Sequence, residues 1–116
     1  ADNLSPDVTR TAQNNDTQRW ILAQVGAVYT VRQQSSGRFV DAHESAASDF
    51  SVVTRTAQNN DTQRWVVMHV GDGSVTIQQL SGRRFLDAHD TAANDFSVVT
   101  RTVQNNDTQR WLIDEV

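Results

Sequence analysis

Short runs of alternating apolar and polar residues, broken at close intervals by turn-formers, dominate this chain. VYTVRQ at 28–33, RFVDAH at 38–43, FSVVTRT at 50–56 and QRWILAQV at 18–25 are rich in β-branched and aromatic residues and are separated by Gly, Ser, Asn and Asp. Such side chains fit a pleated, half-buried surface, and the residues between them read as hairpin turns, so each run predicts a strand. No segment sustains a helical period of apolar positions. The chain is therefore predicted to be all-β.

The runs belong to a repeat, which reveals a supersecondary unit that stacks on its own copies. VTRTAQNNDTQRW fills residues 8–20 and 53–65, and returns at 99–111 with Val103 in place of Ala. Trp20, Trp65 and Trp111 set the period at 45 and then 46 residues, the extra residue falling in the turn where GDGSVTI at 71–77 replaces GAVYTV at 26–31. A second element occurs twice, as SSGRFVDAHESAASDFSV at 35–52 and LSGRRFLDAHDTAANDFSV at 80–98.

Gln-x-Trp closes each unit, at Gln18-Arg19-Trp20, Gln63-Arg64-Trp65 and Gln109-Arg110-Trp111. Four strands per unit of about 45 residues ending in this triplet resemble the ricin B-chain-like (QxW) β-trefoil lectin family. Ser-Gly-Arg-Phe-Val-Asp at 36–41, with one extra Arg at 81–87, is similar to that family's Gly-(Arg/Lys)-x-Leu-Asp segment. The resemblance implies a β-trefoil in which the three Trp pack inside near a pseudo-threefold axis and the Gln side chains tie down backbone. It divides a single domain, 1–116, into a half-unit 1–24 and full units 25–69 and 70–116. Three units need about 135 residues, so ten of twelve trefoil strands are expected here. The expectation is that a missing segment, self-association or another chain completes the trefoil, because open strand edges invite pairing.

Composition narrows the partners. The chain has 116 residues, a net charge of −4 and a pI near 5.1, and all ten basic residues are Arg without a basic run. Phosphate binding needs a concentrated positive field, so nucleic acid is excluded as a partner and acidic membranes are disfavoured. No apolar stretch is long enough to span a bilayer, and ADNLSPDVTR lacks the features of a secretory signal. Membrane insertion is not expected, and localisation stays open. Cysteine is absent, which removes disulfides, zinc-thiolate sites and thiol nucleophiles. No cofactor is expected.

In the ricin-type family each unit can hold a shallow sugar pocket made by an Asp after an apolar pair, an aromatic on the third strand, and an Asn-Gln pair leading into Gln-x-Trp. Carried over, the Asp falls on Asp41 and Asp87 and the Gln on Gln63 and Gln109. A carboxylate accepts sugar hydroxyls and an amide both donates and accepts. The aromatic is replaced by Arg55 and Arg101, whose planar guanidinium can lie against a ring face, and the Asn by Thr62 and Thr108, with Asn60 and Asn106 close by. The rival reading pairs Arg55 and Arg101 with Asp49 and Asp95 across a turn. His43 and His89 follow the Asp by two residues on one strand face, and either line the same pocket or bond to nearby backbone. Two ligands so placed fall short of the three that a metal needs, and no metal site is expected. His69 lies outside the repeated elements and reads as surface.

The resemblance thus implies a lectin or carbohydrate-binding module with up to two sites, galactose-type sugars being the family's ligands. The alternative is a trefoil that binds protein through its loops, as a protease inhibitor or toxin-targeting subunit, with degenerate pockets. An enzyme is not expected. Asp41 and Asp49 could be imagined as a glycosidase pair, but turn-borne, exposed acids lack the burial that general acid work requires.

Overall fold

The computed structural model describes residues 5, 6, 9, 20–25 and 28–113. Gln18 and Arg19 of the first Gln-x-Trp lie outside them. Among the described residues nine strands form, β1 Ser5–Pro6, β2 Trp20–Val25, β3 Val28–Gln33, β4 Phe39–Ala42, β5 Val52–Arg55, β6 Trp65–His69, β7 Val75–Gln79, β8 Phe85–Ala88 and β9 Val98–Arg101. All pairings are antiparallel, in the order β1-β5-β4-β3-β6-β7-β8-β9 with β2 also on β3. The four runs of the first period each form the predicted strand. No described helix is long and apolar enough to cross a membrane.

The sequence repeat is also a repeat of register. Tyr29 pairs with Trp65 as Val75 pairs with Trp111, and Trp20 pairs with Gln33 as Trp65 pairs with Gln79. Phe39 faces Arg55 as Phe85 faces Arg101. Among the described residues β2 to β9 and the bridge at Trp111 fill nine of the twelve positions of a β-trefoil; β1 stands where Phe50-Ser51 does, Pro6 pairing with Val53 as Ser51 pairs with Val99. Because Val75 stands where Tyr29 does, the extra residue lies before it, in the 71–74 turn, as expected. One consequence is that Arg83, at φ 61°, takes the place of Gly37, at φ 73°. Their N–H groups donate to the carbonyls of Gln79 and Gln33 at 2.9 and 2.8 Å. Sequence similarity aligns Gly37 with Gly82 instead.

Each unit rests on its neighbour through the same contact. Thr100 N–H donates to the Phe50 carbonyl at 3.0 Å, and Thr9 N–H donates to the Phe96 carbonyl at 3.1 Å. Ser5 of β1 faces Thr54 in the third equivalent place. The loops that receive these bonds are tight. Short 3₁₀ turns at Ala46–Ser48 and Ala92–Asn94 run into Asp49-Phe50 and Asp95-Phe96, whose φ values of 51, 48, 53 and 49° are left-handed. Non-glycine residues rarely sit there, so the neighbouring unit must help hold them.

The core gathers Val40, Ala42, Val52, Trp65 and Val98, with Val31, Ile77, Leu86 and Ala88 packed against it. Trp65 is fully buried and its indole N–H donates to the Val40 carbonyl at 3.1 Å; Trp111 does the same to Leu86 at 3.0 Å. The expectation of three core tryptophans needs one correction. Trp20 is 42% exposed. Trp65 lies between β3 and β7, whereas among the described residues Trp20 is flanked by β3 alone.

Trp65→Ala is expected to cost about 3–5 kcal/mol, as other large core truncations do, and Trp20→Ala a small fraction of that, in guanidinium unfolding of the two variants. Equal losses would contradict the burial order. In the turn between β6 and β7, hydrogen bonds from the Ser74 hydroxyl and N–H hold the Asp72 carboxyl below the usual Asp range. A depressed carboxyl stabilises the fold at neutral pH, and that contribution is lost as pH falls through the folded value. An NMR titration should show Asp72 protonating at lower pH than an Asp in a model peptide.

Candidate functional site

The shared string AQNNDTQRW builds a self-braced loop before each Trp. Gln63 Nε2 donates to the Thr56 carbonyl at 2.9 Å while its Oε1 accepts the Gln58 N–H at 2.9 Å. Gln109 does the same for Thr102 and Gln104 at 2.9 and 3.0 Å. Asn60 and Asn106 cap the 3₁₀ turns Asp61–Gln63 and Asp107–Gln109, accepting from Thr62 N–H and Thr108 N–H. Arg64 bridges Asp61 and Asn59 at 2.9 and 2.7 Å, and Arg110 bridges Asp107 and Asn105 at 2.9 Å each. A loop whose polar groups are all used in this way needs its own side chains in place, which explains why the string recurs almost unchanged.

The structure therefore places Gln63 and Gln109, expected as ligand amides, in the scaffold. Both are buried and engaged at both ends by backbone. Asn60 and Asn106 are exposed at the loop surface, but their amide oxygens are occupied by the caps they form.

The two Asp residues sit side-on in their strands with apolar neighbours. Contrary to the expectation of exposed, turn-borne acids, Asp41 is 1% and Asp87 2% accessible. Each folds back to accept the N–H of the next residue, Ala42 or Ala88, at 2.7 Å. Beside each lies an Arg from the paired strand. Arg55 Nε is 3.8 Å from Asp41 Oδ2, and Arg101 Nε is 3.8 Å from Asp87 Oδ2. These, not the cross-turn acids, are the partners of the two Arg. The Arg side chains are the more accessible part of each pair, at 21% and 30% against 2% for each Asp, although Arg55 Nε is itself buried. Asp49, the other imagined glycosidase acid, is 64% exposed and meets His89 of the next unit instead.

Around this twin pair the two units differ. In the first copy the Thr62 hydroxyl donates to Asp41 Oδ2 at 3.2 Å. In the second, Asp87 Oδ2 is buried with no hydrogen-bond partner, and Thr108 bonds to Asn106. His89 stands over the second pair, with Arg101 Nη2 3.4 Å from both ring nitrogens, Asp49 Oδ2 3.0 Å from Nε2 and Asn94 Nδ2 3.5 Å from Nδ1. His43 is half-buried, its backbone N–H on the Ser51 carbonyl at 2.9 Å. His69 is exposed at the end of β6. Asp49 and Asn94 join the site through contacts that pattern reading missed, whereas Thr62 is placed there by its match to the family's Asn position.

Among the described residues no three His, Cys, Asp or Glu converge as metal ligands. Arg84, whose pKa is lowered by burial and then by Arg101, lays its guanidinium 3.6 Å from the centre of the Phe50 ring.

Comparisons agree with this architecture. Residues 61–116 match the ricin-type beta-trefoil lectin domain-like family, which bears out the resemblance over that stretch. No curated protein sequence matches the chain significantly. Among solved structures, the designed threefold-symmetric protein ThreeFoil has a TM-score of 0.89 at 20% identity, over 98% of this chain and 84% of that one. The Polyporus squamosus lectin bound to a Neu5Aca2-6Galb1-4GlcNAc epitope has a TM-score of 0.68 at 23% identity, over 79% of this chain and 34% of that one. The exo-beta-1,3-galactanase 1,3Gal43A from Clostridium thermocellum has 0.80 at 20% identity, over 90% and 23%. The chain thus spans most of the designed protein but about a third or less of the other two. At these identities the likeness is one of fold.

Gln63→Ala should remove both backbone bonds of its loop and cost about 1–3 kcal/mol, the penalty for leaving buried polar groups unpaired. Thermal unfolding with no loss would show that the brace is dispensable.

Proposed function

We propose that this β-trefoil, which matches the ricin-type lectin-like family over residues 61–116, binds carbohydrate without catalysis at the Asp41–Arg55 and Asp87–Arg101 pairs. The observation that carries the reading is the pair itself. It occurs twice, at equivalent places in the fold, with a buried carboxylate bonded to the next backbone N–H and a partly exposed Arg beside it. A vicinal diol needs both an acceptor and donors, and the partly exposed planar Arg supplies donors and a flat face where the family carries an aromatic ring. Asp87 Oδ2 keeps acceptor capacity that no protein donor fills. Galactose-type sugars are the ligands this reading favours, with His43, His89, Asn60 and Asn106 at the rim.

The same geometry argues against hydrolysis. Asp41 is spent on Ala42, Thr62 and Arg55, Asp49 is directed to His89, and the two share no partner, whereas glycoside cleavage needs two carboxyls facing one bond. Binding at one such shallow pair is weak, and two pairs on one rigid scaffold gain avidity.

The pairs also alter what substitution should do. Because Asp41 and Asp87 are buried and bonded to backbone, Asp→Ala is expected to destabilise as well as to impair binding, so Arg is the cleaner probe. Arg101→Lys, which keeps a cation beside the buried Asp87 but loses the planar fork, should leave the fold intact and weaken glycan binding at that site by about ten- to a hundredfold, read by calorimetry against a free sugar chosen from a glycan array. Silence across the array combined with retained protein binding would replace this reading with that of a protein-interaction module.

A further inference from the structure

The two candidate sites are nearly identical in sequence, and the third unit's site is reached by a side chain of the preceding unit. His89 is met from three elements. Asp49 comes from the loop of the second unit, Asn94 from the 3₁₀ turn after β8, and Arg101 from β9. Their chemistry leaves one arrangement of the neutral ring. A carboxylate only accepts, so the nitrogen facing Asp49 must donate; guanidinium and amide NH₂ only donate, so the nitrogen facing Asn94 and Arg101 must accept. The proton therefore sits on Nε2, 3.0 Å from Asp49 Oδ2; Nδ1 accepts from Asn94 Nδ2 at 3.5 Å, and Arg101 Nη2, 3.4 Å from both ring nitrogens, can then donate to Nδ1 alone. Arg101 in turn lies over Asp87.

At the matching position before the second site the sequence carries no acidic residue. His89 corresponds to His43 at an offset of 46 residues, and Asp49 corresponds to Leu4 at an offset of 45. A carboxylate is thus replaced by an aliphatic side chain at the matching position. Among the described residues no side chain stands to His43 as Asp49 stands to His89.

We propose that Asp49 is a positioning residue for the third unit's site. Reaching across the boundary between units, it fixes the His89 ring, and His89 fixes the Arg101 guanidinium, so this site is set before ligand arrives. The second site carries a freer His43, and the two bind the same sugar unequally. This rests on the carbohydrate reading above. Ordering one long side chain in advance saves binding free energy, so the third site is expected to be tighter by about two- to tenfold.

The test uses the whole chain and two variants, Asp49→Gly and Asp49→Asn, both suited to the left-handed backbone at φ 51°. With neutral imidazoles, the His89 Nε2–H proton should exchange slowly and be visible by NMR, while those of His43 and His69 exchange too fast to see. Asp49→Gly should abolish the His89 signal, and Asp49→Asn, which keeps a weaker acceptor oxygen, should retain it with faster exchange than in the parent. Titration with galactose, followed at the His43 and His89 ring resonances, should give a lower Kd at His89, and Asp49→Gly should bring the two values together. An His89 proton unaffected by Asp49→Gly, or an unchanged ratio of the two Kd values, overturns the proposal. Should galactose move neither ring, the carbohydrate reading falls, and the proton-exchange result still decides whether Asp49 positions His89. If Asp49→Gly fails to fold, Asp49→Asn decides alone: its weaker, uncharged acceptor should speed exchange of the His89 proton and narrow the Kd ratio, and no change in either overturns the proposal.

Discussion

No unit of this protein is closed by itself. The contact that everything else depends on is one backbone hydrogen bond between units, in which a residue of one unit's third strand donates to the carbonyl of a left-handed Phe in its neighbour's loop. It is seen at Thr100 with Phe50 and again at Thr9 with Phe96. A unit of four short strands cannot bury its own apolar face, so stacking on a copy is what makes the core. The same contact pins the Asp49-Phe50 loop in an otherwise costly conformation. It thereby lays Phe50 on Arg84 and sends Asp49 to His89.

Scaffold and site divide the polar residues between them. The string before each Trp looks rich in ligand-binding groups, yet Gln63, Asn60, Asp61 and Arg64 are consumed in holding one loop together. The proposed ligand site is the Asp–Arg pair on the hairpin formed by the second and third strands of each full unit. Burial of the carboxylate beside a partly exposed Arg keeps the pair rigid, since a buried acid must be held by its donors. Near-identity of the copies therefore reflects shared construction of the loops more than equivalence of the sites.

Much of the fold was legible because its signals are local and periodic. Strand runs, turn residues and the spacing of Trp20, Trp65 and Trp111 led to an all-β trefoil built on repeated hairpins. Even the one-residue insertion was placed correctly in the 71–74 turn. The exposure of Trp20 was not legible, because it depends on how many strands flank it, not on its own unit. The burial of Asp41 and Asp87 escaped for a related reason: an acid between apolar residues reads as outward-facing unless its backbone donor is known. Contacts between units, such as Asp49 with His89, leave no trace in a pattern read along one repeat.

The central claim is that the twin Asp–Arg pairs are where this trefoil meets its ligand, and a crystal structure of the chain soaked with galactose tests it most directly. The account predicts a sugar ring against Arg101 with hydroxyls toward Asp87, and a second, less occupied ring against Arg55. Sugar bound elsewhere on the surface, with both pairs untouched, would contradict it.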